Sequence, residues 1–284
     1  MSDINLKFDK LKNILRECGS VTVAFSSGVD STFLVKTARE VLGKEKVLAI
    51  TVASAFIPAN ELMEAEEFCI KNDINHKILK FDVLSDDEIT ANPYNRCYIC
   101  KKAIFSMIKE TVEELGFSET VICEGSNIDD TGDYRPGMQA IKELGIKSPL
   151  MEAGLSKSDI RMLSKEMNLN TWNKPSAACL ASRCAYDERI TEEKLKMVEK
   201  AEDYLKSKGF SQLRVRIHGN DSYIARIELS NEELIKFVSE LNDSGVKSEV
   251  YDYIKELGFS YITLDLKGYR VGSMNEILGN KAKS

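Results

Sequence analysis

Three cysteines in this 284-residue sequence are spaced so that they could bind a metal or carry out sulfur chemistry. Cys97 and Cys100 form a Cys-x-x-Cys motif at the predicted start of a helix, and Cys179 lies in a segment of small residues after Pro175. In a reducing compartment such a motif is typical of metal binding or redox use. The spacing leaves three interpretations open: a [4Fe-4S] cluster held by the three thiolates, a zinc ion with Cys184 as fourth ligand, or a thioredoxin-like pair.

The segment Ser26–Ser31 has the composition of a phosphate-binding loop. It follows an apolar run, Val21–Phe25, that is typical of a buried strand, and Ser31 is predicted to cap the next helix. Bare amides at a helix N-terminus favour a multiply charged anion such as a phosphate chain. The loop lacks the Gly-Lys-Ser/Thr ending of a Walker loop and the three-glycine dinucleotide fingerprint.

Two arginines alternate along one predicted strand. Arg214 and Arg216 therefore lie on the same face of the strand, and His218 continues that face. Adjacent guanidinium groups repel each other unless an anion lies between them, such as a phosphate or carboxylate ligand or an acidic residue of another subunit. Ser182 and Arg183 add a second set of donors upstream, and a solvated strand face is the alternative.

Strands and helices alternate along the first part of the chain, which predicts a parallel sheet wound by right-handed crossovers. Apolar runs precede three small or polar segments, 26–31, 53–54 and 124–127. Because ligands bind beyond the carboxyl ends of parallel strands, these segments are expected to converge on one site. The predicted nucleotide-binding residues are Ser26, Ser27, Gly28, Val29, Asp30, Ser31, Ala53 and Gly125.

The segment 172–184 interrupts this alternation with small residues and a proline, so we predict a domain boundary there. Residues 1–183 would form an α/β domain with a parallel sheet that carries the phosphate-binding loop. Residues 184–284 would form a smaller α/β domain, with a hairpin turning at 219–221, that binds substrate and mediates homo-oligomerisation. The polar loop 129–137 is a candidate lid or a solvated turn.

Charge and hydropathy restrict the partners and the compartment. The formal charge of −6 argues against a surface committed to nucleic acid. The sequence has no apolar run long enough to span a membrane and no signal-peptide pattern, so we expect a cytoplasmic protein without a membrane partner. The odd number of cysteines argues against a disulfide framework. The remaining thiols, Cys18, Cys69 and Cys123, are expected to be packing residues.

The loop resembles a known ATP-binding sequence. Its order Ser-Ser-Gly-Val-Asp-Ser, at 26–31, is similar to the Ser-Gly-Gly-x-Asp-Ser motif of the PP-loop ATP pyrophosphatases. These enzymes bind ATP, transfer AMP to a substrate oxygen and release pyrophosphate. The resemblance therefore implies that the domain of residues 1–183 binds and activates ATP. The chain departs from the motif at Ser27, where the family usually has glycine, and that position is expected to need the backbone angles that glycine adopts easily.

A more specific resemblance, to the LarE family, covers nearly the whole chain. LarE proteins are ATP-dependent sulfur transferases that help to build the nickel-pincer nucleotide cofactor of lactate racemase. The resemblance is carried by Ser26–Ser31, 133–137, 172–174, Ser182-Arg183, Arg214-Val215-Arg216 and 224–228. It implies that a pyridinium biscarboxylic acid mononucleotide is adenylylated on a carboxylate, attacked by sulfur and released as a thiocarboxylate.

The resemblance also implies roles for individual residues. The amides of 27–29 would hold the leaving pyrophosphate, and Asp30 would hold Mg²⁺. Arg214 and Arg216 would bind the substrate phosphate, while Ser182 and Arg183 orient a carboxylate. Glu202 would be a supporting or metal-binding residue.

The sulfur source depends on the subgroup. One LarE subgroup gives up the sulfur of its own cysteine, in the loop that here holds Cys179, and lacks the Cys-x-x-Cys pair. In the other subgroup three cysteines carry a [4Fe-4S] cluster that binds and delivers sulfide. The presence of Cys97 and Cys100 favours the second subgroup.

Three other functions are consistent with parts of the sequence. A tRNA thiolase also joins a PP-loop to a Cys-x-x-Cys motif and a third cysteine, but it needs a basic groove for RNA. A PP-loop ligase that delivers ammonia would need a glutaminase segment. An ATP-binding sensor would leave the cysteines and the paired arginines unexplained.

Overall fold

The computed structural model describes residues 3–132, 136–175, 178–240, 244–270 and 272–276. The predicted-lid residues 133–135 and residues 176–177 of the predicted domain joint lie outside these ranges. The elements in chain order are α1 (Asp3–Cys18), β1 (Val21–Ala24), α2 (Val29–Leu42), β2 (Val47–Ala53), α3 (Ala59–Lys71), β3 (Asn75–Lys80), α4 (Asp87–Thr90), α5 (Arg96–Glu114), β4 (Val121–Cys123), α6 (Pro136–Glu143), α7 (Pro149–Glu152), α8 (Lys157–Glu166), α9 (Glu192–Ser207), β5 (Leu213–His218), β6 (Ile224–Leu229), α10 (Asn231–Glu240), α11 (Ser244–Glu256) and β7 (Tyr261–Leu264).

The chain divides into two compact units. The first comprises residues 1–81 and 97–177, and the second comprises 82–96 and 178–284. Residues 82–96 thus group with the second unit although they lie between the two segments of the first unit in sequence. The functional boundary at 183/184 stays a prediction.

The first unit contains the predicted parallel sheet. Its strand order is β3-β2-β1-β4, and every neighbouring pair is parallel. The predicted alternation of strand and helix is therefore confirmed. The segment 146–151 does not continue the sheet as a strand, because Lys147 makes a single bridge with Cys123 and Pro149 then begins α7.

Both faces of this sheet are covered by helices, which explains why its strands are apolar on successive residues. Val47 and Ala49 of β2 face a core built with α1, α2, α3, α7 and α8, whereas Leu48 and Ile50 face a core built with α5 and α6. Cys69 and Cys123 lie in the first of these cores and Cys18 packs against it, as expected for packing thiols. Burial raises the pKa of Cys69 to about 12.

The second unit is built on a three-stranded sheet of order β5-β6-β7. β5 and β6 pair antiparallel, with Arg216 opposite Arg226, which confirms the predicted hairpin, and β7 pairs parallel with β6. α9 packs on β5 through its apolar face, and its N-cap is Thr191, whose hydroxyl accepts the amide of Lys194.

Candidate functional site

The loop between β1 and α2 forms a bare helix N-terminus, here called the cradle (residues 26–31). α2 begins at Val29 with Gly28 as its N-cap, so the predicted cap at Ser31 is wrong. An N-cap residue needs extended backbone, which Gly28 has and a residue inside the first turn cannot have. Ser31 Oγ instead accepts the Ser26 amide at 3.3 Å and donates to the Gly28 carbonyl at 3.4 Å, which closes the loop on itself.

Ser27 occupies a left-handed conformation with φ of 50°, the region that glycine enters at no steric cost. For a residue with a side chain this conformation costs about 1–2 kcal/mol. Ser27 is 2% exposed, and its hydroxyl donates to the Glu61 carbonyl of α3 at 3.1 Å. That hydrogen bond, worth about 1 kcal/mol, offsets much of the strain and accounts for a serine at a glycine position.

Asp30 lies at the start of α2 and forms an ion pair with Lys157, the first residue of α8. The amide of Asn127 lies 3.4 Å from its other carboxylate oxygen. Burial raises the pKa of Asp30, and the charge of Lys157 opposes that rise without cancelling it. Lys157 is a site residue that the sequence analysis did not identify, because its contact with Asp30 joins residues 127 positions apart.

The segment after β4 reaches the cradle, as the sheet topology predicted. A Cβ added to Gly125 would lie 3.1 Å from the Ser31 amide nitrogen and 3.3 Å from the Asp30 Cβ. A side chain at position 125 would therefore be tight against the start of α2, and glycine allows this close approach without displacement of the neighbouring atoms. Ala53 ends β2 on the same edge of the sheet, and its carbonyl accepts the Phe81 amide. The structure thus brings 26–31 and 124–127 into contact and leaves the nucleotide-binding role a prediction.

Cys97 and Cys100 lie in the first turns of α5, which begins at Arg96, so the predicted position of the motif at the start of a helix is confirmed. A separation of three residues places both thiols on one face of the helix. Among the residues that the structure describes, no group of three or more His, Cys, Asp or Glu side chains is arranged to hold a metal ion.

In the second unit, Cys179 lies in a short turn, here called the thiol turn (residues 178–183). Arg183 is buried and its Nη1 donates to the carbonyls of Ala178 at 2.6 Å and Cys179 at 3.2 Å. Its Nε and Nη2 each donate to one carboxylate oxygen of Glu202 at 2.8 Å. All three guanidinium nitrogens are therefore directed at protein acceptors, whereas the sequence predicted that Arg183 orients a substrate carboxylate.

Glu202 connects the thiol turn to β5. Its Oε1 also accepts the Val215 amide at 3.0 Å, between the two arginines of that strand. Burial by itself would raise the pKa of Glu202, but the charge and hydrogen bonds of Arg183 outweigh burial and lower it. The carboxylate is 3% exposed and fully engaged, so its geometry favours a supporting role.

Arg214 and Arg216 are 9% and 6% exposed, which excludes the solvated strand face. Arg216 donates to Glu228 of β6 at 2.8 and 3.1 Å and to the Ser182 carbonyl at 2.8 Å. The guanidinium of Arg214 lies 5.2 Å from the centre of the Tyr269 ring, and burial lowers its pKa, with Arg183 adding to the effect. A carboxylate of the same hairpin thus supplies the anion that Arg216 requires.

Cys184 lies immediately after the thiol turn and is 2% exposed. Burial raises its pKa to about 11, and its role as a fourth zinc ligand stays a prediction. Two residues that the sequence did not single out hold this stretch of chain. Arg96 donates to the Ala181 carbonyl at 3.0 Å, and the buried Asn92 donates to the Ala185 carbonyl at 2.6 Å.

Within the described part of the chain, no helix is both long enough and apolar enough to cross a lipid bilayer.

The geometry defines a class of α/β protein in which a glycine-capped cradle follows the first strand of a parallel sheet. Residues 4–97 match the NAD synthase family of PP-loop enzymes. The chain is 37% identical over 278 residues to pyridinium-3,5-bisthiocarboxylic acid mononucleotide synthase of Lactiplantibacillus plantarum, covering 98% of this chain and 97% of that one. The chain belongs to the LarE family and is an enzyme.

Two further relatives also align with nearly the whole chain. An uncharacterized protein of Synechocystis is 39% identical over 272 residues, covering 96% of this chain and 98% of its own. An uncharacterized protein of Methanocaldococcus jannaschii is 31% identical, covering 93% and 97%. Similarity therefore extends through both compact units, and the PP-loop relationship supports ATP as the nucleotide.

Proposed function

We propose that this enzyme adenylylates a carboxylate of pyridinium-3,5-biscarboxylic acid mononucleotide and converts it to a thiocarboxylate, for synthesis of the nickel-pincer cofactor. The observation that carries the proposal is the full-length 37% identity to a synthase named for the bisthiocarboxylic acid product. The bare cradle supports it, because adenylylation requires a site for the leaving pyrophosphate.

The cradle would carry out the first step. The substrate carboxylate oxygen attacks the α-phosphorus of ATP, the bond to the bridging α–β oxygen breaks, and pyrophosphate leaves. Amides of Ser27, Gly28 and Val29 would hold that pyrophosphate at the start of α2. Asp30 fits a single carboxylate ligand for Mg²⁺, which needs few protein ligands when phosphates supply the rest. Lys157 would add positive charge beside it.

The second unit would hold the substrate. Arg214 and Arg216 are the proposed phosphate ligands, since alternate residues of β5 lie on one face. Arg216 would bind the phosphate while keeping its ion pair with Glu228. Ser182 is the proposed donor to a substrate carboxylate. Arg183 would act through the thiol turn, where it holds the carbonyls of Ala178 and Cys179.

Sulfur would then displace AMP from the acyl adenylate, and two sources are open. In the sacrificial route, Cys179 Sγ attacks the acyl carbon, AMP leaves, and loss of the Cys179 Hα breaks the Cβ–S bond. The products are the thiocarboxylate and dehydroalanine at 179. In the other route, favoured by the sequence, Cys97, Cys100 and Cys179 would hold a [4Fe-4S] cluster, and the sulfide that displaces AMP would come from outside the chain.

Anaerobic purification distinguishes these routes. The cluster route predicts brown protein with iron and acid-labile sulfide, both lost in Cys97→Ala, and an unchanged Cys179 after turnover. Colourless protein with stoichiometric zinc contradicts the cluster route. A protein mass lowered by one H₂S after turnover supports the sacrificial route instead.

The overall proposal is tested by mixing the protein with Mg²⁺, ATP and the biscarboxylate mononucleotide. AMP and pyrophosphate should form in equal amounts, and only when the mononucleotide is present. Absence of both products contradicts the proposal. A cytoplasmic homo-oligomer remains part of the proposal, and light scattering of the purified protein tests the oligomer.

A further inference from the structure

Ser27 is anchored to the rest of the first unit at both its side chain and its carbonyl. The hydroxyl donates to the Glu61 carbonyl of α3, and the Lys174 ammonium donates to the Ser27 carbonyl at 3.3 Å. Lys174 also pairs with Glu64, one turn further along α3, at 2.6 Å. The left-handed residue of the cradle is therefore fixed against α3 from two directions.

Lys174 is itself held in place by α8. Arg161 donates to the carbonyls of Trp172 and Lys174, each at 2.7 Å. The Lys174 side chain is 22% exposed, so most of it is packed. The segment 172–174 thus presents a positioned cation to the cradle from the side of the Ser27 carbonyl.

Peptide geometry connects this contact to phosphate binding. In a planar trans peptide the carbonyl of one residue and the amide N–H of the next point in opposite directions. The Ser27 carbonyl and the Gly28 N–H belong to one such plane. Fixing the carbonyl toward Lys174 therefore fixes the Gly28 N–H in the opposite direction, as one of the donors that the proposed function assigns to pyrophosphate.

We infer that Lys174 is a positioning residue for ATP: it holds the 27–28 peptide in the orientation that presents the Gly28 amide to the phosphate chain. The inference rests on the proposed function for the role of that amide. Without Lys174, the peptide between a left-handed serine and a glycine is able to rotate, since glycine tolerates both orientations. Lys174 would thus affect the binding of ATP, through the geometry of the cradle, rather than the chemical step.

The test compares Lys174→Met with Lys165→Met. Lys165 is a matched control because its ammonium lies over the Trp172 ring at 4.8 Å, in the same part of the unit. We expect Lys174→Met to raise the KM for ATP in pyrophosphate release about tenfold, with kcat changed less than about threefold. Lys165→Met should leave both constants near wild type, and Lys174→Arg should recover most of the loss, because arginine also donates to a carbonyl.

A second readout does not depend on turnover. Amide hydrogen exchange of the nucleotide-free protein should accelerate about tenfold at residues 27–29 in Lys174→Met and remain unchanged in Lys165→Met. Unchanged exchange and unchanged KM in Lys174→Met overturn the inference. If wild type releases no pyrophosphate, the proposed function fails, whereas the exchange result still decides whether Lys174 fixes the cradle.

Discussion

At the scale of single residues, the unusual features of the cradle have identifiable physical causes. Ser27 adopts glycine-like angles, and its hydrogen bond to the Glu61 carbonyl offsets the strain. Asp30 keeps an ion pair with Lys157, although burial raises its pKa. Each residue therefore combines a local cost with a contact that only the folded first unit supplies.

Substitutions at Ser27 should separate strain from hydrogen bonding. Ser27→Ala keeps the strain and loses the hydrogen bond, so we expect the free energy of unfolding to fall by about 1 kcal/mol. Ser27→Gly loses the same bond and also relieves the strain, so its net change should be smaller, within about 0.5 kcal/mol. Urea denaturation of both variants measures the difference, and a glycine variant less stable than the alanine variant contradicts it.

Asp30→Asn should separate stability from activity. Because burial raises the pKa of Asp30, its ionised form opposes folding above its ordinary pKa of 3.8. The asparagine variant should therefore melt no lower than wild type at pH 7, while its pyrophosphate release falls by about 100-fold or more.

The same shift predicts a pH dependence for wild type. If ionised Asp30 holds Mg²⁺, the activity should begin to fall on acidification at a higher pH than expected for a carboxyl group with the ordinary pKa of 3.8. A pH–rate profile of wild type measures this fall. For the stability prediction, an Asp30→Asn variant that melts well below wild type at pH 7 would contradict the account.

At the scale of elements, the sequence predicted what depends on local pattern. The alternating apolar runs indicated the parallel sheet and the meeting of 26–31 with 124–127, and both are present. The N-cap of α2 was predicted three residues too late, at Ser31 instead of Gly28, because Ser31 is a good cap by residue type while Gly28 caps by its backbone alone. Lys157 and Lys174 could not be predicted, because their contacts with Asp30 and Ser27 join residues more than 120 positions apart.

The thiol turn depends on a buried ion pair between Arg183 and Glu202, on α9. Glu202→Gln would leave the Arg183 charge buried without a counter-charge, so we expect a loss of about 3 kcal/mol in the free energy of unfolding. Because its pKa is lowered in the fold, Glu202 contributes stability above its ordinary pKa of 4.5 and loses it as the pH falls through the lower value. Wild type should therefore lose stability on acidification over this window more steeply than the glutamine variant.

Thermal melts of the two proteins between neutral pH and pH 3 measure that difference. Glu193→Gln, in the first turn of the same helix, is the matched control for removing a carboxylate from α9. Equal stabilities of wild type and Glu202→Gln at pH 7 contradict the assigned role.

At the scale of the whole molecule, the two compact units carry different parts of the proposed chemistry. The first holds the cradle, Asp30 and Lys157, and the second holds the thiol turn and the arginines of β5. Similarity to the Lactiplantibacillus plantarum synthase extends over both units, and the proposed reaction uses residues of both. The central claim is that ATP activates a carboxylate oxygen of the substrate.

An isotope experiment tests that claim most directly. The substrate carboxylates are labelled with ¹⁸O, and AMP is analysed by mass spectrometry after turnover with Mg²⁺ and ATP. Attack of the carboxylate on the α-phosphorus predicts one ¹⁸O in each AMP formed by wild type. Asp30→Asn should form labelled AMP about 100-fold more slowly. AMP that carries only solvent oxygen would contradict adenylylation of the carboxylate.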